Sequence, residues 1–503
     1  MNRPISPLVD RLYAIPFAIA AFLIVFIYSK HGGIGISPDS IVYVSAARNL
    51  VENGRLLGYN NFPVVDFPSF YPIFLASIKF ITHVDPVVAG PYLNGFLFAA
   101  VVYISSMIIN KFVNHSLGYK CIVLLCIVVA PSLQEVYSML WSESLFILLS
   151  LLLILALHRY FKTHTLSSLL IVALIVAVAC VTRYAGIAFA GAGGAMLLFD
   201  RNLKSQKKAA HILIFSFISL SLLIANLYRN QHAGGFLTGN REKGITPLPD
   251  NMSYLGSVVG NWLPFFPDQY TISLVVGWIV LLIIIAICVY YWLKGAHWYT
   301  SFESITSVFA LVYASFIILS STVSHYERIN DRLLSPLYIP LLFSFTSRIP
   351  ALIQMEKTRG LRIATIAFCL TISAGFFYRQ YQNNLEFYED VSTYGIPGFT
   401  DDSWVHSQTV NFIQQHKSFL KPNYHIYSNA PESIYFNCGL VGENLPNRKF
   451  PEEVASFYKE NHYYVVWFNN KEETPLSLQE IKLHKKLTPV TSFTDGAIYV
   501  VEE

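Results

Sequence analysis

About eleven stretches of this chain are apolar enough to enter a bilayer core, which takes about 20 residues to cross as a helix. They cover residues 12–28, 91–110, 121–136, 144–157, 166–181, 185–199, 209–227, 272–293, 305–322, 333–347 and 361–378. Few folds are open to such a chain, because backbone in lipid must satisfy its own hydrogen bonds and does so as helices. Composition agrees. Of 503 residues, 54% are hydrophobic and 13% charged, about half the charged share of a soluble domain. An ordinary soluble enzyme, a disordered chain and a collagen are excluded. The net charge of +4 offers no nucleic-acid footprint, so no nucleic-acid partner is expected. The expected fold class is mainly α, a polytopic helical membrane protein of about 11 transmembrane helices with a small C-terminal α/β domain.

The few charges define a sidedness. With the N-terminus in the cytoplasm, the inside loops carry about 15 basic and about 3 acidic residues, while the outside loops before residue 379 balance near about −1. This places residues 30–90, 228–271, 323–332 and the tail outside. The N-terminal apolar run lacks a small-residue cleavage pattern and reads as a retained first helix. The KSQKK run at 204–208 marks the cytoplasmic surface. Cys121, Cys126, Cys180, Cys288 and Cys369 fall in apolar runs and Cys438 in the tail, so neither a disulfide framework nor a zinc spacing is present.

Two regions follow: a transmembrane part at 1–378 with a long first outside loop at 30–90, and an extracytoplasmic domain at 379–503. In the tail, helices are expected at 403–416, 451–461 and 476–486, and strands at 424–427, 463–468 and 497–501, a small α/β pattern without a phosphate-binding glycine loop. In the first outside loop, SPDSIVYVSAARNLVENG reads as an amphipathic helix starting at Asp39 or Ser40 and stopping at Asn53-Gly54. FPSFYPIFLASIKFI reads as a second, with Pro72 in its first turn. Both suit the membrane surface.

Chemistry must come from the charges at segment ends. Asp39 is a candidate general base. It also fits a helix N-cap, and the two readings are compatible because a cap fixes its carboxylate. Glu143, in WSESLFILLSLL, begins the fourth apolar segment, where it could orient an acceptor, bind a metal or pair with Arg183. Arg183, in VTRYAGIAF, is an outside arginine against the charge trend, either snorkelling or meeting a carboxylate or lipid phosphate. SHYERINDRLLSP gathers His325, Glu327, Arg328, Asp331 and Arg332. This is a solvated loop, except that Arg332 abuts an apolar run, where a guanidinium can grip phosphate bidentately. Asp66, between Pro63 and Pro68, fits a turn. Arg229, Arg241, Lys243 and Asp268 belong to a loop with the composition of a flexible binding loop.

Taken in order, these residues resemble the GT-C superfamily of polytopic glycosyltransferases, which includes protein mannosyltransferases and the lipid A aminoarabinose transferase. The likeness rests on Asp39 followed by YVSAARNLVENGRL and FPSFYPIFLASI, on SES at Glu143, TRYAG at Arg183, DRLLSPLYIPLL at Arg332, and SNAPESIYFNCG in the tail. Many relatives carry two adjacent acids in the first loop, whereas here Ser40 follows Asp39. The resemblance implies an inverting enzyme that moves one sugar, hexosyl or pentosyl, from a polyprenyl-phosphate donor outside the cytoplasm. The acceptor would be a glycolipid, glycan or protein. Asp39 would be the base, and Arg332, Arg183 and Arg328 would meet the donor phosphate, with His325 and Asp66 as further candidates. It implies membrane lipids as surroundings, a bacterial inner membrane with the tail periplasmic, and no certain cofactor, a divalent cation staying open. A lipid-linked glycan transporter or flippase would need polar residues at mid-membrane or internal repeats, and neither is found. A polysaccharide polymerase or ligase is the third reading.

Overall fold

Every apolar run forms helix. The computed structural model describes residues 7–112, 116–239, 243–263, 269–324, 327–355, 358–469 and 476–502. Among the described residues, seven helices are long and apolar enough to cross a membrane, and eight if the bent pair Leu117–Val128 and Pro131–Ser138 counts as one. Ile15–Tyr28, Leu166–Thr182 and Tyr184–Leu198 are apolar and helical but shorter, which accounts for the larger number read from the sequence. The chain divides into two compact units. The first comprises Met1–Ile27, Val65–Tyr71 and Pro91–Glu389, and the second Tyr28–Val64, Pro72–Gly90 and Asp390–Glu503.

Breaks in the first unit's helices have local causes. The 49° bend after Val128 falls where Pro131 cannot donate a backbone bond, and Gln134 Nε2 donates to the Val128 carbonyl at 2.9 Å. The Asp331–Thr346 helix contains Pro336 and Pro340. Pro336 leaves the Arg332 carbonyl without its helical partner, and Ser335 Oγ donates to it at 2.8 Å. Asn330 caps this helix through Leu333 N at 3.0 Å. Helices Leu248–Asn261 and Tyr270–Leu293 touch backbone to backbone at Gly256, where a Cβ would lie 1.7 Å from the Ser273 carbonyl oxygen. Helix Arg359–Tyr394 runs on through residue 379, the point where the sequence changes character.

The second unit contains a five-stranded sheet, β1 His425–Ser428, β2 Glu443–Asn444, β3 Tyr463–Phe468, β4 Thr488–Ser492 and β5 Gly496–Val501, in the order β2-β1-β3-β5-β4. β1 is parallel to β2 and β3, while β5 is antiparallel to β3 and β4. β3 is apolar throughout because helices cover both faces. Tyr464, Val466 and Phe468 meet Val410, Ile413 and Ile434 on one face, and Tyr463 and Val465 meet Phe457 and Ile481 on the other. The helix expected at 403–416 is two, Asp402–Val405 and Gln408–Gln415. Ser407 starts the second by accepting from Val410 N, and its hydroxyl donates to Asp495 at 2.5 Å.

Most of the segment expected as the first outside loop belongs to this unit, as Tyr28–Val64 and Pro72–Gly90. Helix Pro38–Asn53 starts at a capping box in which Ser37 Oγ accepts from Ser40 N and Ser40 Oγ accepts from Ser37 N, and it stops at left-handed Gly54, φ 66°. Arg48 of this helix makes two bonds to Asp85, at 2.8 and 2.9 Å. Burial alone would raise the Asp85 carboxyl, but Arg48 and, further off, Lys79 hold it below the ordinary carboxylate range.

Candidate active site

Asp39 occupies the second position of helix Pro38–Asn53, half-buried. The cap expected at Asp39 is at Ser37 instead, because Pro38 takes the first helical position, where its missing N–H costs nothing, and that sets the cap one residue earlier. Asp39 is left in the first turn, where the helix dipole favours a carboxylate.

In the first unit three of the expected residues meet. Glu143 opens helix Glu143–Thr163 and is 1% exposed. Its Oε2 pairs with Arg183 Nη1, and its Oε1 accepts from Arg332 Nε at 2.5 Å. Neighbours hold the pair of guanidiniums. Ser142 Oγ accepts from Arg183 at 3.0 Å and donates to Glu143 Oε2 at 3.3 Å. The Trp141 ring lies 4.1 Å from the Arg332 guanidinium, and Glu327 lies 3.8 Å from its Nη1. Trp262 Nε1 donates to Asp331 at 2.8 Å, fixing the turn from which Arg332 projects. Within the triad one buried carboxylate faces two guanidiniums, with Glu327 as a second carboxylate near Arg332, and each guanidinium has five N–H donors. Among the described residues no group of three or more His, Cys, Asp or Glu is arranged to hold a metal ion.

The TRYAG motif has a steric logic. Arg183 ends helix Leu166–Thr182 in extended conformation, and the turn Tyr184–Gly186 folds back on it so tightly that a Cβ at Gly186 would lie 2.4 Å from the Ala179 carbonyl carbon. Gly186→Ala is expected to force this turn outward, cost about 1–3 kcal/mol as overpacking does, and draw Arg183 off Glu143. Thermal unfolding in nanodiscs checks the first effect, and loss of the coupling between Glu143→Gln and Arg183→Gln in a double-mutant cycle checks the second.

Two further candidates have neighbours of their own. Arg328 is exposed, its guanidinium 4.1 Å from the Tyr254 ring. Asp66 is exposed beside Gly239, where a Cβ would lie 1.7 Å from its Oδ1. Its segment is tied down by Asn226 Oδ1 accepting from Ser69 N at 3.2 Å and Asn230 Nδ2 donating to the Val65 carbonyl at 3.2 Å. His325, Arg241 and Asp268 fall outside the described residues.

No family profile and no curated protein sequence matches the chain. Solved structures do. ArnT from Cupriavidus metallidurans, solved with undecaprenyl phosphate, aligns with a TM-score of 0.59 at 11% identity over 97% of each chain. The Archaeoglobus fulgidus oligosaccharyltransferase AglB, solved with an inhibitory peptide and a dolichol-phosphate, aligns at 0.54 and 10% over 92% of this chain and 70% of its own. The arabinofuranosyltransferase AftD from Mycobacteria aligns at 0.52 and 13% over all of this chain and 41% of its own. The chain has the GT-C fold.

Within this GT-C fold, the sequence reading passed over two charged residues. Glu135, on Pro131–Ser138, interacts electrostatically with Asp331, Arg332, Glu327 and Glu143. Its signal was an acid inside an apolar run. Arg48 was the other, a guanidinium on an amphipathic helix whose partner, Asp85, lies 37 residues away.

Proposed function

We propose that this protein is an inverting glycosyltransferase that moves a single sugar from a polyprenyl-phosphate donor to an acceptor hydroxyl on the extracytoplasmic side. The observation that carries it is the meeting of Arg183 and Arg332 on buried Glu143 at helix ends, in a fold shared with a protein solved with undecaprenyl phosphate. The charge pattern assigns the Asp39 loop and these helix ends to one side of the membrane.

In this reading Asp39 takes the proton from the acceptor hydroxyl. The oxygen attacks the anomeric carbon from the face opposite the phosphate, a new glycosidic C–O bond forms, and the bond to the phosphate oxygen breaks. Polyprenyl phosphate leaves, its charge met by Arg332 and Arg183. Phosphate leaves well without a general acid. Glu143 touches neither donor nor acceptor and sets the direction of the two guanidiniums. A lipid donor explains why the site belongs at a bilayer surface.

The test is mass spectrometry of envelope glycolipids and glycoproteins from a deletion strain, with and without the gene restored. Loss and recovery of a single-sugar mass is the expected result and would identify the sugar and acceptor. An oligosaccharide-sized loss would point to the polymerase or ligase reading. An unchanged profile would overturn the proposal.

A further inference from the structure

The second unit unites the Asp39 loop with the chain's last residues, and the way it does so suggests what the α/β domain is for. Three contacts matter. Residues 31–36, just before the Ser37 cap, lie against the turn at 395–402. Phe399 N donates to the Ile36 carbonyl at 2.7 Å, Thr400 Oγ1 donates to the Ile34 carbonyl at 3.1 Å, and His31 Nε2 meets Asp402 Oδ1 at 2.9 Å. The approach is so close that Gly398, φ +135°, would place a Cβ 2.4 Å from the Ile36 carbonyl oxygen. Beyond the helix, Tyr59 OH donates to Glu432 Oε1 at 3.4 Å and accepts from Asn444 Nδ2 at 3.2 Å. Along the helix, Arg48, bonded to Asp85, also interacts electrostatically with Tyr435.

Tyr59 is informative because of where it lands. Glu432 follows β1 and Asn444 ends β2, so Tyr59 covers the carboxyl ends of parallel strands, the edge at which open α/β sheets take ligands. The strand order reverses between β1 and β3, and there Asn429 spans the gap, its Nδ2 donating to the Phe468 carbonyl at 2.7 Å and its Oδ1 accepting from Phe468 N at 2.9 Å. The ligand edge of this sheet is taken up by the chain itself.

We propose that the α/β domain is a positioning element that clasps the Pro38–Asn53 helix before its cap and beyond its end, and so fixes where Asp39 stands. The proposal rests on the reading of Asp39 as the base. His31, Tyr59, Gly398, Asp402 and Asn444 are positioning residues.

The test is hydrogen exchange on the full chain in nanodiscs, together with the single-sugar product made by a complemented deletion strain. In Gly398→Val, and in Tyr59→Phe with Asn444→Ala, amides of residues 40–48 should exchange about tenfold faster through local opening. Those of β3 and β5 should keep their rates, and product should fall in step. His31→Asp alone should behave likewise, and the swap with Asp402→His should restore both readouts, which a loss of domain stability would not allow. An unchanged 40–48 exchange in all variants overturns the proposal, as does a loosened helix with normal product while Asp39→Asn is inactive. If Asp39→Asn is itself active, the base assignment fails, and the exchange data alone decide whether the domain holds the helix. If Gly398→Val does not accumulate, the swap decides.

Discussion

Asp39→Asn should lower sugar transfer by about 10²–10⁴-fold, the usual worth of a general base, while leaving the amount of folded protein unchanged. The start of the helix does not depend on Asp39. Helix Pro38–Asn53 is capped by Ser37, with Ser40 completing the box, so the amide replaces a carboxylate that does not start the helix. Asparagine has nearly the same size and differs in being unable to accept the acceptor's proton. The side-chain charge in the first turn is lost, which costs the helix about 0.3–2 kcal/mol for a half-buried position. Single-sugar product from the complemented deletion strain measures the first effect, and hydrogen exchange of residues 40–48 measures the second. Wild-type product with the variant present at normal level would remove Asp39 from the chemistry.

Glu143→Gln should be the most damaging single change in the first unit. Its carboxylate is 1% exposed and receives both Arg183 and Arg332. Removing one partner from a buried ion pair costs about 3–5 kcal/mol, because the remaining charge stays buried without compensation. Here two guanidiniums would lose their shared carboxylate at once. Transfer should be lost along with stability, since in the proposed reaction the arginines that would meet the leaving phosphate take their direction from Glu143. The coupling is checked by a double-mutant cycle. Arg332→Gln added to Glu143→Gln should cost less than the two changes taken separately, by about 0.5–3 kcal/mol for residues in contact, measured by unfolding in nanodiscs. Additive costs would mean that the pair contributes nothing jointly.

What could be read without coordinates follows from the range of each interaction. Apolar runs show the helices because lipid imposes one solution on every segment that enters it. β3 shows itself as YYVVWF because both its faces are buried. β4 does not, since its residues are mostly exposed and its pairing with β5 shifts register between Pro489 and Thr491. The break after Val405 depends on Ser407 finding Asp495, 88 residues away. The same holds for the candidate site. Glu143, Arg183 and Arg332 could be picked out one by one as charges at segment ends, but the pairing of Glu143 with Arg332 spans 189 residues. Asp39 reads as the cap from its residue type, and the backbone puts the cap at Ser37.

The union of Tyr28–Val64 with Asp390–Glu503 in one unit also sets a timetable. Chains are made from the N-terminus, so the Pro38–Asn53 helix is synthesised well before the segments that receive its flanks: Thr400 follows Ile34 by 366 residues and Glu432 follows Tyr59 by 373. Until those segments are made, the helix lacks both contacts, and closing so long a loop in sequence is slow. A nascent chain can therefore form its apolar helices and still carry an unfinished first loop, so that a chain cut short before Asp390 is expected to leave loose a helix made long before the cut.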